Sequence, residues 1–129
     1  MMQPLQLLIV DDEPEFLETL AERLRFRGFV VRGATGCREA LAAMATEPAQ
    51  VVILDVMLPD VDGLDCLRRI KKHWPQAGVI MLSGHASISA GMQGIAAGAS
   101  DYCLKPVELG ELVEKIHIAH AEAGFFAPQ

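Results

Sequence analysis

Long apolar runs are missing from this chain. The longest, Leu5–Val10 with Gln6 inside it and Val79–Leu82, are far too short to span a bilayer. The start lacks the basic stretch, long apolar core and small-residue cleavage site of a secretory leader. Basic runs are missing too, since 11 Lys and Arg face 17 Asp and Glu, a net charge of −6. An acidic domain without a basic patch is poorly suited to gripping phosphate backbones, which argues against direct nucleic-acid binding. Cysteine is scarce. Cys37, Cys66 and Cys103 form no C-x-x-C, their odd number argues against a disulfide framework, and they read as small apolar residues. No internal repeat, low-complexity segment or linker precedes Phe125. What remains is the expectation of a reduced, cytoplasmic, single-domain protein, 51% apolar and 22% charged, the balance of an ordinary soluble globule.

Short β-type runs alternate with helical patterns along the whole chain. Leu5–Val10, Phe29–Val31, Val51–Leu54, Val79–Leu82 and Tyr102–Leu104 read as strands. Val51–Leu54 is continuously apolar, as a parallel strand buried on both faces must be. Between them lie five helical patterns. The first carries Phe16, Leu17, Leu20 and Leu24 on one stripe and stops at Gly28. The second is the Ala-rich stretch Cys37–Thr46. The third carries Leu64, Leu67, Ile70 and Trp74, and Pro75 ends it. The fourth, 87–97, is weakened by Gly91 and Gly94, each costing about 1 kcal/mol relative to Ala. The last, 107–123, has Leu109, Leu112, Val113, Ile116 and Ala119 as its inner stripe. Strands joined by helices run parallel with right-handed crossovers. The expected fold is therefore α/β, an open doubly wound five-stranded parallel sheet with helices on both faces.

In such sheets ligands bind beyond the carboxyl ends of the strands. Asp11 and Asp12 follow strand one, Asp55 ends strand three, Ser83 ends strand four and Lys105 ends strand five. Three carboxylates, a hydroxyl and an ammonium thus converge on one edge. Crowded carboxylates raise one another's pKa or recruit a cation. An oxygen-only set with open positions suits Mg²⁺ completed by a phosphate. A carboxylate beside Mg²⁺, a lysine and a hydroxyl has the parts for phosphoryl transfer: a nucleophile, a Lewis acid, and donors for the equatorial oxygens.

Four segments, Val10-Asp11-Asp12-Glu13, Leu54 to Gly63, Leu82-Ser83-Gly84-His85 and Gly98 to Pro106, stand in order at strand ends. In this order and spacing they resemble the receiver domain of bacterial two-component response regulators. The resemblance implies a flavodoxin-like three-layer sandwich with strand order 2-1-3-4-5. It implies Asp55 as phosphoryl acceptor, and Asp12, Asp55 and the Met57 backbone carbonyl as Mg²⁺ ligands, with Asp11 acting through water. Ser83 and Lys105 would take phosphoryl oxygens, Tyr102 would be a switch aromatic, and Lys105–Pro106 a cis peptide. Met57 and His85 would modulate access of water to the site. The implied partner is a sensor histidine kinase or phosphotransfer protein. A homodimer through the helix 4–strand 5–helix 5 face is a further implied contact, with no contact to membrane. The implied role is a signalling switch rather than an enzyme. Residues 1–124 would form the receiver, and 125–129 a tail or the start of a linker to an effector domain.

Rival readings are a stand-alone phosphorelay or protein-binding module, an Mg²⁺-dependent small phosphatase, a flavodoxin-like FMN carrier and a receiver that no longer uses phosphorylation. The phosphatase would want an acid two residues after the nucleophile, where Met57 stands, and Asp11-Asp12 would repel a flavin phosphate. The remaining polar residues have plainer explanations. His117 and His120 read as a solvated helix face, Asp60 and Asp62 as turn and N-cap residues, and Trp74 as a helix-end anchor. Ile118 lies off the inner stripe of the last helix and could mark a partner surface.

Overall fold

The computed structural model describes residues 3–84 and 88–125. Five strands, β1 (Gln6–Val10), β2 (Val30–Ala34), β3 (Val51–Asp55), β4 (Gly78–Ser83) and β5 (Asp101–Leu104), form one parallel sheet in the order 2-1-3-4-5. Five helices connect and follow them: α1 (Pro14–Phe26), α2 (Cys37–Thr46), α3 (Gly63–His73), α4 (Ile88–Ala96) and α5 (Leu109–Phe125). No helix among the described residues is long and apolar enough to cross a membrane.

Period-two alternation divides the core into two layers. Leu7, Ile9, Ile53, Ile80 and Leu82 pack against the apolar stripes of α1 and α5. Leu8, Val10, Val52, Leu54, Val79 and Met81 turn the other way, toward α2 and α3. Every residue of β3 is buried, as its unbroken apolar run requires. The sandwich is thus the doubly wound arrangement that periodicity predicts, and all five strands end on the same edge.

Three details depart from the sequence reading. β2 runs on to Ala34 rather than stopping at Val31, because Arg32, Gly33 and Ala34 pair with Leu8, Ile9 and Val10 of β1. Gly33 belongs there for want of a side chain: a Cβ would lie 3.1 Å from the Leu17 methyl groups of α1. The last helix begins at Leu109, two residues later than expected. Glu108 sets that start by accepting hydrogen bonds from the N–H groups of Gly110 and Glu111, at 3.1 and 2.6 Å.

The third departure concerns cysteine. Cys37 and Cys66 are joined in a disulfide, with their Cα atoms 5.8 Å apart, rather than standing as separate small apolar residues. The odd count misleads because the sheet sorts the three thiols. Cys37 and Cys66 lie on the α2–α3 side, whereas Cys103 is buried and free in the opposite layer.

Gly28 ends α1 with φ +97°, a conformation that suits glycine. Gly63 opens α3 for a different reason: a Cβ there would meet the backbone oxygens of Asp55 and Val56, the former at 2.6 Å. The chain after β3 therefore folds back on itself tightly enough to exclude even a methyl group. Gly63→Ala is expected to destabilise the protein by about 1–3 kcal/mol, the usual cost of overpacking against backbone that cannot yield. A lowered urea midpoint with unchanged m-value is the readout.

Candidate functional site

Lys105 stands at the centre of the carboxyl edge. Its Nζ lies 2.8 Å from Asp11 Oδ2, 3.0 Å from Asp55 Oδ2 and 3.2 Å from Glu13 Oε1. The same ammonium sits 4.4 Å from the centroid of the Phe16 ring, within cation–π range. Each neighbour is delivered by a separate element. Asp11 immediately follows β1, Glu13 caps α1, Asp55 is the last residue of β3, and Lys105 follows β5 through a backbone bond from its N–H to Ser83 O at 2.8 Å. The Lys105–Pro106 bond is cis.

Both inner carboxylates are held locally. Asp11 Oδ1 accepts the Glu13 N–H and Asp55 Oδ1 the Met57 N–H, each at 2.9 Å. Asp11 is completely buried, and its Oδ2, close as it is to the ammonium, finds no hydrogen-bonding geometry. Burial pushes the Asp55 carboxyl above its usual 3.8, against the opposing pull of the Met57 N–H and of Lys105, while the Asp11 charge adds to the rise. Burial alone would lower the Lys105 ammonium, but the close Asp11 carboxylate and the hydrogen bond to Asp55 outweigh it and hold the lysine firmly charged.

Asp12 is exposed at the rim. With Asp11 and Asp55 it forms a set of three carboxylates whose nearest oxygens lie within 4.8 Å of one another. A cleft of about 190 Å³ opens onto this set, lined by Asp12, Glu13, Asp55, Met57, Gly84 and Lys105. The Met57 side chain stands 64% exposed at its mouth. Ser83, buried at the end of β4, lies one residue beyond the partner of Asp55 in the ladder. Tyr102 is half-buried, its ring against α4 where a Cβ on Gly91 would come within 2.6 Å. His85 lies outside the described residues.

Two neighbours of the lysine escaped the sequence reading as site residues. Glu13 was visible only as part of a motif, and Phe16 only as a member of the α1 stripe. Nothing in the period of a helix tells which of its apolar residues lies under a cation. Asp60 also does more than turn the chain. Its carboxylate accepts the N–H groups of Cys37 and Arg38, both at 2.9 Å, and so caps α2 from the loop after β3. Asp62 is the N-cap of α3, accepting the Leu64 N–H at 2.8 Å.

The profile of the response regulator receiver domain matches residues 7–117, nearly the whole of this arrangement. The chain belongs to the response regulator receiver family. Among its relatives, the probable transcriptional regulatory protein TcrX of Mycobacterium tuberculosis is 36% identical over 114 residues, 88% of this chain and 49% of that protein. The transcriptional regulatory protein KdpE of the same species is 40% identical over 112 residues, 87% of this chain and 49% of the relative. The chain therefore spans about half the length of these regulators. The CheY-like receiver domain of Methanospirillum hungatei superposes with a TM-score of 0.88 at 32% identity, covering 96% of this chain and 99% of that one. The receiver is a signalling domain of two-component systems, homologous to the receivers of transcriptional regulators.

The electrostatics of this receiver make two measurable predictions. A carboxyl whose folded pKa is raised binds its proton more tightly in the folded state, so its contribution to stability falls as pH rises through that raised value. Asp55→Asn should therefore raise Tm at pH 7 by a few degrees, with the gain fading as pH falls toward 3.8. Asp60 is the opposite case, since the Arg38 and Cys37 N–H groups hold its carboxyl below 3.8. Asp60→Ala should lower Tm at neutral pH. The deficit should close only as acid carries the pH through the lowered value, because the stabilisation is fully present above 3.8 and lost below it.

Proposed function

We propose that Asp55 is the phosphoryl acceptor of this receiver, taking the group from a phosphohistidine of a sensor kinase or phosphotransfer protein. The observation that carries this reading is the buried contact of Lys105 with Asp55 and Asp11, at 3.0 and 2.8 Å, at the mouth of a cleft. An Asp55 carboxylate oxygen attacks phosphorus in line. The P–N bond to the kinase imidazole breaks as the new P–O bond forms, and the imidazole leaves with its electron pair. Lys105, held charged, faces the oxygens that gather negative charge, and the Ser83 hydroxyl approaches from the neighbouring strand end. The carboxyl edge suits Mg²⁺: its donors are all oxygen, and Asp11, Asp12 and Asp55 sit close enough to repel one another without a cation. Asp12, Asp55 and the Met57 carbonyl would hold the ion directly and Asp11 through water. Bound there, it would supply Lewis-acid charge for the transferring phosphoryl group.

Met57 and His85 modulate how water reaches the acyl phosphate. A thioether cannot orient an attacking water by a strong hydrogen bond, which favours slow spontaneous loss. Tyr102, packed over Gly91, follows the Ser83 movement inward and carries the change to α4, β5 and α5. Exposed Met92, Ile95 and Leu104 on α4 and β5 support a homodimer through that face. Residues 1–124 constitute the receiver, and 125–129 lead toward an effector domain, a reading supported by relatives twice as long. The domain assists its own phosphorylation without turning over a separate substrate, and works in the cytoplasm where the kinase presents its phosphohistidine. A phosphatase on this fold is less well supported, because Met57 offers no acid where a second one is needed.

Intact mass after incubation with acetyl phosphate tests the proposal. One phosphoryl adduct that needs both Mg²⁺ and Asp55, and is lost in Asp55→Asn, is the expected result. Lys105→Ala should slow adduct formation by roughly 10²-fold, the order of loss on removing one preorganised charge donor. An adduct that survives Asp55→Asn would overturn the assignment.

A further inference from the structure

Cys37 and Cys66 play no part in the phosphoryl chemistry proposed above. Cys37 is the first residue of α2 and Cys66 lies in the opening turn of α3, and both are completely buried. Their bond spans a sequence separation of 29 residues. The ring so closed contains β3, Asp55 and the whole loop 56–62.

That loop is fastened at two further points beside the disulfide. Asp60 reaches across to the Cys37 and Arg38 N–H groups, so the residue that caps α2 also anchors the loop. The contact is close enough that a Cβ on Gly36 would lie 2.9 Å from Asp60 Oδ1. On the α3 side, Gly63 N–H donates to Val56 O at 3.0 Å and Cys66 N–H to Asp62 O at 2.9 Å. A short chain of backbone and carboxylate contacts therefore runs from the sulfur pair to Met57, whose N–H holds Asp55 Oδ1 at 2.9 Å.

In a reducing compartment a pair like this stands by default as two thiols. Two buried thiol sulfurs must separate to van der Waals distance, and close packing on the α2–α3 side transmits that displacement to whatever α2 and α3 hold between them. Here that is the Asp60 clasp. Cys103 cannot compete for either partner, because it lies in the opposite layer of the core.

We propose that Cys37 and Cys66 form a reversible thiol–disulfide pair that sets the rate at which Asp55 accepts a phosphoryl group, by clamping or releasing the loop 56–62 against α2. The rate control rests on Asp55 being the acceptor. The pairing itself does not. The oxidant is a low-molecular-weight disulfide. Local opening of the α2–α3 side admits it to the buried pair; one cysteine thiolate then attacks it, forming a mixed disulfide and expelling a thiolate. The second cysteine, as thiolate, then attacks the protein sulfur of that mixed disulfide and expels a second thiolate. Two cysteine thiols are oxidised, the small disulfide is reduced to two thiols, and the two cysteine protons pass to them. A dithiol reverses both steps. The oxidised form has the loop pre-positioned and is the faster acceptor.

The test uses the wild-type chain equilibrated in oxidised glutathione or in dithiothreitol. Alkylation under denaturing conditions, followed by intact mass, should modify Cys103 alone in the first case and all three cysteines in the second. Oxidation should raise Tm by about 10 °C, given the length of chain the bond closes. The rate of adduct formation with acetyl phosphate and Mg²⁺ should be on the order of tenfold faster in the oxidised form, the scale expected when a reacting group is slightly misplaced. Cys37→Ala and Cys66→Ala should each behave as the reduced protein in both buffers. Three modified cysteines in oxidised glutathione would overturn the pairing, and equal rates in the two states would overturn the control. No adduct in either state would overturn the acceptor role of Asp55 and the rate control with it, while the alkylation pattern would still decide the pairing.

Discussion

One ammonium group holds the functional edge of this protein together. Lys105 is brought by a single backbone hydrogen bond to Ser83 O, and around it stand Asp11, Glu13 and Asp55, with Asp12 at the rim. Four carboxylates against one cation leave the edge strongly negative. The sum is costly where Asp11 is fully buried, and the close lysine together with the Glu13 N–H offsets it. The remaining imbalance is of the kind a divalent cation can offset, which is the charge the proposed phosphoryl transfer would draw on. The ordering of those three charges underlies everything proposed for the domain.

The scaffold meets that demand through strand direction. Parallel strands connected by helices all finish on the same side, so residues far apart in sequence meet without any long loop. Lys105 and Glu13 touch across 92 positions, and Lys105 and Asp55 across 50. The tight segment is the return after β3, where Gly63 admits no side chain and Asp60 and Asp62 cap two different helices within a few residues. The loop is short and tied to both α2 and α3.

Much of this was legible from residue order. The unbroken apolar run at β3, the acidic pair after β1 and the lysine–proline step after β5 specify both the sheet and its polar edge. Less visible were features that arise only when elements meet. Arg32 and Gly33 look unlike strand residues, and they extend β2 because β1 offers them a ladder. Phe16 became a lysine's neighbour because α1 starts at the same strand edge that carries Lys105. The disulfide was hidden by counting. Three cysteines suggest no framework until the two faces of the sheet separate one from the other two.

Trp74, the sole tryptophan, caps the far end of α3 just ahead of β4, whereas Ser83 closes that strand beside Asp55. A six-residue strand stands between indole and acidic edge, roughly 20 Å at the usual rise per residue. Intrinsic fluorescence is therefore a gauge of global unfolding in this protein and nearly blind to charge movements at the opposite rim. An optical reporter of the acidic edge has to be introduced there, and the exposed position of Met57 offers a place for an emitter that leaves both core layers untouched.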